Sequence, residues 1–494
     1  MESNRLPHPA KSQATPLGHL LGYALGGCAY QLPFNALWAF AMVYYTQILG
    51  LDSILAGLAL SITTFWDALA DPFIGHLSDN TRSRYGKRHP YMLVGGVILA
   101  LSSYFLWSAP GFCAGKWILF AYVLLINFIF RTAMAVFAIP YGALGFEICT
   151  DYDERSKLQS IASVVGMLVN FFGIAMGWRL FFPNRGESDG SQFASNYAHM
   201  GLTFSIVSLV LVLFCLWTTR RYIRDGRGDE KIMGNSLRAF YLDIRDIFMD
   251  RRAIIVFLFF GTLSLGNALV ACWQTFTWIY YMEFDGGQKT ICHAAGMIGF
   301  ILGAFLSTLI SKKLDKKPSV CIGAGLSILG SLALLLIFYT GLLGNSVSIN
   351  LPYIPWLGVI SISISLIVFA FFQAVFWMGT GVMSPIATSM VADISEINRH
   401  DTGILKDGSY SAVFCFLIKL AGGIGLLVQG VCLKLIGFKE GSNQQPPEAI
   451  DRLVLFTFTS GAFFALVALL IAMKYRVNRR FMATIKESLA ARET

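Results

Sequence analysis

Charge is what this chain of 494 residues has least of. Its 38 Lys and Arg and 29 Asp and Glu make up 14% of the residues, where a soluble domain carries about 25%. That shortage excludes an ordinary water-soluble enzyme. The local signatures of catalysis are missing as well: there is no H-E-x-x-H, no Walker sequence and no G-x-S-x-G, so zinc-peptidase, ATP-driven and serine-hydrolase chemistry have no motif to stand on. Nine Cys are scattered, mostly within apolar runs and never as C-x-x-C, which argues against a zinc cluster or a disulfide framework. The opening MESNRLPHPAKSQATP lacks the short apolar core and small-residue cleavage site of a signal peptide and reads as a polar tail.

What remains is apolar. Hydrophobic residues make 55% of the chain, with 40 Phe and 10 Trp, and the mean hydropathy is +0.60. The net charge of +9 would suggest nucleic acid in a soluble protein. Here the basic residues fill short gaps between long apolar runs, which excludes that partner and names the lipid bilayer instead. A membrane helix needs ~20 mostly apolar residues. Twelve stretches qualify, near 17–48, 53–78, 90–110, 117–147, 158–181, 200–219, 253–282, 291–311, 318–341, 355–391, 408–436 and 452–475. Pro33, Pro140 and Pro385 are natural kink points in them.

Lys and Arg set the expected orientation. Arg82, Arg84, Lys87 and Arg88 share one side with Lys312, Lys313, Lys316 and Lys317 and with Lys474, Arg476, Arg479 and Arg480. The polar gap 219–252 adds Arg220, Arg221, Arg224, Arg227, Lys231, Arg238, Arg245, Arg251 and Arg252, while the opposite loops hold few, such as Lys116, Arg185 and Lys289. The positive-inside rule places the crowded side and both termini in the cytoplasm of a plasma-membrane protein. The expected organisation is a tail over 1–16, a six-helix bundle over 17–219, a central loop over 220–252, a second bundle over 253–475 and a tail over 476–494. IGHLSDNTRSRYGKRHP (74–90) has a degenerate counterpart in LGAFLSTLISKKLDKKP (302–318), each after the second span of its half. The fold class is thus all-α, twelve transmembrane helices in two pseudo-symmetric bundles, with substrate expected near the midplane between them.

Ionisable residues deep in a span are functional candidates. Asp67 and Asp71 in TTFWDALADPFIGHLSD are four apart and share a helix face. Counting ~1.5 Å per residue from Ser78 puts Asp67 about 16 Å deep. Two carboxylates so close repel, and need a cation or a shared proton. Lys419 in CFLIKLAGG and Arg131 in FIFRTAMAVFAIPY are the candidate cations. Such a face suits reversible H⁺ or Na⁺ binding; the alternative is a fixed ion-pair strut. Amides and indoles also recur at helical spacing: Gln31, Asn35 and Trp38 on span 1, Asn267, Gln274 and Trp278 on span 7, Gln373 and Trp377 on span 10. Hydroxyls need donors and acceptors and sugar C–H faces stack on rings, so the set points to a sugar site; the alternative is interhelical bonding and an interfacial belt. Arg131 joins the candidate site as a group able to grip an anionic substrate or to pair internally with the two acids.

WDALADPFIGHLSDNTRSRYGKRHPYML resembles the signature after span 2 of the glycoside–pentoside–hexuronide:cation symporters, the melibiose permease group of the major facilitator superfamily. IPYGALGFEICTDYDERSKL and SMVADISEI resemble that family's 4–5 and 10–11 loops, and the lysine of FLIKLAGG its span-11 lysine. The resemblance implies cation-driven uptake by alternating access, with Asp67 and Asp71 as coupling carboxylates and Lys419 as their partner. It also marks departures. Ala70, Ala135 and Ala138 stand where the melibiose permeases have polar residues, and Gln31 and Ser163 replace a sugar-contacting Asp and an Arg. With two Na⁺ ligands replaced, H⁺ is the expected coupling ion, Na⁺ the alternative, and no cofactor or metal is expected. The opening YALGGCAYQL resembles the animal lysophospholipid symporters of the same superfamily, so a lysolipid or other amphiphile is the alternative cargo. A membrane receptor or embedded enzyme is the reading from another class. The expected partner is a small sugar, neutral or anionic (a uronide or sulfo-sugar), and the expected state a monomer. Asp79, Arg84 and Arg88 form a candidate gate, in which Asp79 pairs with a nearby Arg.

Overall fold

A computed structural model describes residues 16–223, 245–343, 348–350, 361–403 and 407–493, apart from positions 82, 112, 114, 150, 151, 185, 187 and 246. Arg82, Arg185, Arg224, Arg227, Lys231 and Arg238, most of the expected tail 1–16 and most of the central loop lie outside these residues. Twelve long helices follow one another: α1 (Leu17–Val43), α2 (Ser53–Asp79), α3 (His89–Leu106), α4 (Lys116–Ile148), α5 (Tyr152–Asn170), α6 (Ala194–Thr219), α7 (Arg251–Tyr280), α8 (Gly286–Leu314), α9 (Lys316–Leu334), α10 (Ile364–Thr402), α11 (Asp407–Leu435) and α12 (Pro447–Ala472). Single π turns extend α1 through Tyr44–Ile48, α5 through Phe171–Ala175 and α9 through Leu335–Tyr339. Eleven helices among the described residues are long and apolar enough to cross a membrane. The twelfth is α1, which carries His19, Gln31 and Asn35 and packs among α4, α5 and α6. Leu101, Leu125, Val210, Phe305, Leu329 and Phe371 stay exposed on the outer face, as a bilayer requires and water does not.

Several helix boundaries differ from the sequence expectation. Helix α8 begins at Gly286 rather than near 291, because Asp285 and Gln288 form a capping box that satisfies two first-turn N–H groups. Helix α10 runs to Thr402, eleven residues past the expected end, and closes on Gly403 in the left-handed region, φ +71°. SMVADISEI, expected in a loop, is therefore helical; its Asp393 is neutralised by Lys316 of α9 at 2.5 Å. The expected first residues of that span, 355–360, lie outside the described residues, and the next three form β2 (Ser361–Ser363), antiparallel to β1 (Ser348–Asn350). The last segment, read as a tail, holds a further helix, α13 (Arg479–Glu493), whose Met482 and Ile485 pack on Ile397 of α10.

Packing is close where glycines line a helix face. A Cβ on Gly57 of α2 would lie 2.6 Å from the Leu426 carbonyl and 3.2 Å from the Gly430 Cα of α11, so these backbones touch across the two halves. The apolar cores reveal how the halves sit. At the end where α1 finishes and α2 starts, side chains of both halves form one continuous cluster, from Phe40 and Trp178 to Phe276, Leu433 and Phe458. At the other, basic end each half has its own: Tyr23, Met92, Phe137 and Cys215 in the first, Val256, Val320, Ile386 and Ala468 in the second. One end is sealed and the other parted.

Candidate functional site

Helix α2 presents Asp67 and Asp71 one turn apart, and Lys419 of α11 reaches between them. Its Nζ lies 3.0 Å from Asp67 Oδ2 and 2.5 Å from Asp71 Oδ2, and also donates to the Asp67 carbonyl at 3.4 Å. Arg131 of α4 completes the group with Nη1 3.7 Å from Asp67 Oδ2. Asp67 and Arg131 are each 1% exposed, whereas Asp71 and Lys419 are half-buried. Two acids and two bases cancel, which is the only cheap way to keep four charges at this depth. Pro72, which follows Asp71 inside α2, has no N–H to offer the Ala68 carbonyl, so the backbone is locally unlaced beside the acids. Because one ammonium serves both carboxylates, a proton on either acid hands Lys419 to the other.

The polar and aromatic set gathers elsewhere. A cavity of about 490 Å³ opens between the halves, and Asn35, Trp38, Gln274, Trp278, Gln373 and Trp377 all line it. Trp377 Nε1 donates to Gln274 Oε1 at 3.3 Å, and Gln373 Nε2 to the Cys292 carbonyl at 3.0 Å. Gly296 makes room for both: a Cβ there would lie 3.0 Å from Trp377 and 3.2 Å from Gln373. Gln373 Oε1 and the indole N–H groups of Trp178 and Trp278 have no partner. The wall residues thus carry an unspent acceptor and two unspent donors, all three buried just behind its surface, and broad aromatic faces, a make-up that suits a molecule bearing both hydroxyls and C–H faces.

Three expected site residues fall outside this cavity, Asn267 of α7 among them. Gln31 lines an adjoining space of about 380 Å³ with Tyr23, Tyr141, Gln159 and Ser163, which shares Met167 and Asn170 with the first. Arg131 does not face substrate space: Asp67 holds it, and its guanidinium lies 5.9 Å from the Phe34 ring. The expectation of a substrate-gripping Arg131 is corrected, since a buried guanidinium goes to the nearest anion and Asp67 is one helix away. At the basic end Arg88 lies 2.5 Å from Asp79 and 3.2 Å from Glu147, and donates to Ser78 Oγ at 2.9 Å. Arg84 is not part of this group; it reaches outward to the Tyr85 hydroxyl at 2.8 Å. All of these contacts lie within the first half, and Lys316 with Asp393 and Tyr475 repeats them in the second.

Sequence reasoning missed three residues. Lys289, counted as a loop charge, is 1% exposed and pairs with Asp189 across the halves at the sealed end. The D-x-x-Q capping pattern before it would have placed it on α8. His293, one turn further, and Asn170 of α5 line the cavity; nothing in their local sequence distinguishes them from packing residues. The sealed end is further tied by Lys434 and Lys116 to Asp52 at 3.2 and 3.4 Å, by Ser53 N to Glu440 at 3.1 Å, and by the Tyr280 hydroxyl to Gln47 at 2.6 Å. Among the described residues, no group of three or more His, Cys, Asp or Glu is arranged to hold a metal ion.

A family model described as MFS/sugar transport protein matches residues 22–479. The inner membrane symporter YicJ of Escherichia coli is 25% identical over 483 residues, covering 97% of this chain and 96% of its own. The isoprimeverose transporter of Lactiplantibacillus pentosus is 22% identical, covering 96% of this chain and 92% of its own. The mouse sodium-dependent lysophosphatidylcholine symporter 1 is 29% identical over 171 residues, 34% of this chain and 32% of its own. Among solved structures, a bacterial homologue of the lysosomal transporter Spinster, inward-facing and unoccupied, superposes with a TM-score of 0.64 at 13% identity, covering 97% of this chain and 98% of that one. Twelve helices in two halves, a central cavity and a charge group between them agree with these matches: the chain belongs to the MFS/sugar transport family, the glycoside–pentoside–hexuronide symporters of the major facilitator fold, and is an integral membrane transporter, not an enzyme.

Proposed function

We propose that the chain is a proton-coupled symporter that brings a sugar or glycoside across the plasma membrane by alternating access. The observation that carries the reading is the contact between cavity and charge group. Trp38 of the cavity wall lies against Gly422 of α11, where a Cβ would be 2.9 Å from the indole, and Lys419 is one turn away on the same helix. A substrate that presses on Trp38 and a proton that frees one acid from Lys419 therefore act on the same segment of α11. With the basic end in the cytoplasm, the shape described here is sealed outside and parted inside. In the other half of the cycle the Asp189–Lys289, Asp52–Lys434 and Gln47–Tyr280 contacts separate and the cytoplasmic side closes.

The choice of H⁺ rests on Ala70 and Ala135. They pack together with Ile74, flanked by Trp66, Val136 and Ile139, so apolar side chains fill a place where a hard cation needs oxygen ligands. A proton needs only one carboxylate. The lysolipid reading has the mouse symporter in its favour, over a third of the chain; the amide and indole wall favours sugar. Uptake of labelled sugars and of labelled lysophosphatidylcholine into proteoliposomes, with a pH gradient or a Na⁺ gradient imposed separately, tests both choices. Sugar accumulation driven by the pH gradient alone is expected. Accumulation driven only by Na⁺ overturns the ion, and uptake of the lysolipid without sugar overturns the cargo.

A further inference from the structure

We infer that the central cavity takes an uncharged glycoside and that His293 selects it by hydrogen-bonding one of its hydroxyls. The inference deepens the sugar-symport reading and rests on it. Among the described residues lining either cavity there is no Asp, Glu, Lys or Arg. The three cations near enough to matter are already held, Lys419 by Asp67 and Asp71 together. Asp67 pairs with Arg131, and the Phe34 ring packs near both Arg131 and Trp38, 5.9 Å from the guanidinium and 6.3 Å from the indole. Lys289 pairs with Asp189 and lies over the Trp178 ring, 5.1 Å from its centroid. A carboxylate entering the cavity would lose its water and find no counter-charge.

The unpartnered groups make the same discrimination by a different route. Gln373 Oε1 is a buried acceptor with nothing to accept. A carboxylate brings no proton to it, whereas a sugar hydroxyl does. The indole N–H groups of Trp178 and Trp278 need acceptors, which hydroxyl and carboxylate oxygens supply alike, so the discrimination rests on Gln373 and not on them. Among the described residues of the central wall, His293 is the only ionisable acid–base side chain apart from the Cys272 thiol. Its ring meets Trp278 edge-on, centroids 6.2 Å apart at 70°. Sharing the cavity with it are Trp278 and Gln274 from α7, Gly296 and Met297 from its own helix, and Gln373 and Trp377 from α10. None is a carboxylate that would hold an imidazolium. A neutral imidazole offers one donor and one acceptor, which is the complement of a hydroxyl and not of an anion.

The test is direct binding to the purified protein in nanodiscs, followed by calorimetry, with matched pairs of methyl glycosides: glucoside against glucuronide, galactoside against galacturonide. Within a pair only CH₂OH and COO⁻ differ. At least one neutral glycoside should bind, with its uronide at least about tenfold weaker. His293→Phe should weaken the neutral ligand about tenfold, and His293→Gln, which keeps a donor and an acceptor, by no more than about threefold. His293→Ala gives the same loss if the larger ring disturbs folding. A uronide that binds as well as its neutral partner overturns the charge selection. Unchanged affinity in both His293→Phe and His293→Ala overturns the role of His293. If no glycoside of either charge binds to folded protein, the sugar reading itself falls and this inference with it.

Discussion

Arg131 Nη1 lies 3.7 Å from Asp67 Oδ2, deep in the first half, while Lys419 comes from the second half to the same oxygen at 3.0 Å. Asp67 is thus held by both halves, and Asp71 by the second alone. The two acids are not equivalent, and removing them should have different consequences.

Asp71→Asn takes away the half-exposed acid and leaves Lys419 with Asp67. We expect gradient-driven accumulation to be lost, with substrate exchange and thermal stability retained. Asp67→Asn also strands Arg131, a buried charge without a partner, at a cost of about 3–5 kcal/mol. Its melting temperature should fall along with accumulation. Uptake, counterflow and thermal unfolding of both variants check the split; equal stability in the two would contradict it.

Charge balance predicts a rescue. Lys419→Ala leaves two acids against one base, and both transport and stability should drop. Adding Asp71→Asn restores neutrality with Asp67 and Arg131 still paired, so the double variant should unfold at a higher temperature than Lys419→Ala alone. Accumulation should stay absent in both.

At the basic end, Arg88 has two carboxylate partners within the first half, Asp79 at 2.5 Å and Glu147 at 3.2 Å. Asp79→Ala removes one and Arg88→Ala strands both. Each should slow transport, Arg88→Ala more, and alter the labelling of cysteines introduced at that end. Wild-type rate and wild-type accessibility in both variants would deny the group a part in the cycle, as would a larger effect from Arg84→Ala, because Arg84 reaches Tyr85 and not the Arg88 group.

The sealed end should depend on pH through two loop carboxylates. Burial acts to raise Asp52 and Glu440, but hydrogen bonds and charge outweigh it: Lys434 and Lys116 at Asp52, and Ser53 with Lys434 at Glu440. Both are held below their ordinary values. A depressed carboxylate contributes its stabilisation in full above the ordinary range, about pH 4, and loses it as pH falls through the lowered values. Labelling of Asn443→Cys, beside this contact and normalised to a free thiol at the same pH because the thiolate fraction falls with pH, should therefore be constant from neutral pH down to about 4 and rise below it. Lys434→Ala should move that rise to higher pH; an unshifted profile would contradict the assignment.

Much of this protein is legible in one dimension, because a bilayer imposes its rules locally. Span length and basic gaps mark the helices, and a four-residue interval puts Asp67 and Asp71 on one face whatever surrounds them. The recurrence of Asn35, Trp38, Gln274, Trp278, Gln373 and Trp377 at helical spacing likewise anticipates a shared wall. Tertiary structure decided which charge meets which. Arg131 had two prospective partners in the sequence, and only the packing of α4 on α2 gives it to Asp67. Lys289 looked like a loop charge until the first turn of α8 met Asp189 across the halves. Helix α10 outran its apolar stretch because Lys316, 77 residues earlier, neutralises Asp393. In each case the energy of a charge depends on a partner far away in the chain, and that partner is set by how helices pack, not by the residues beside it.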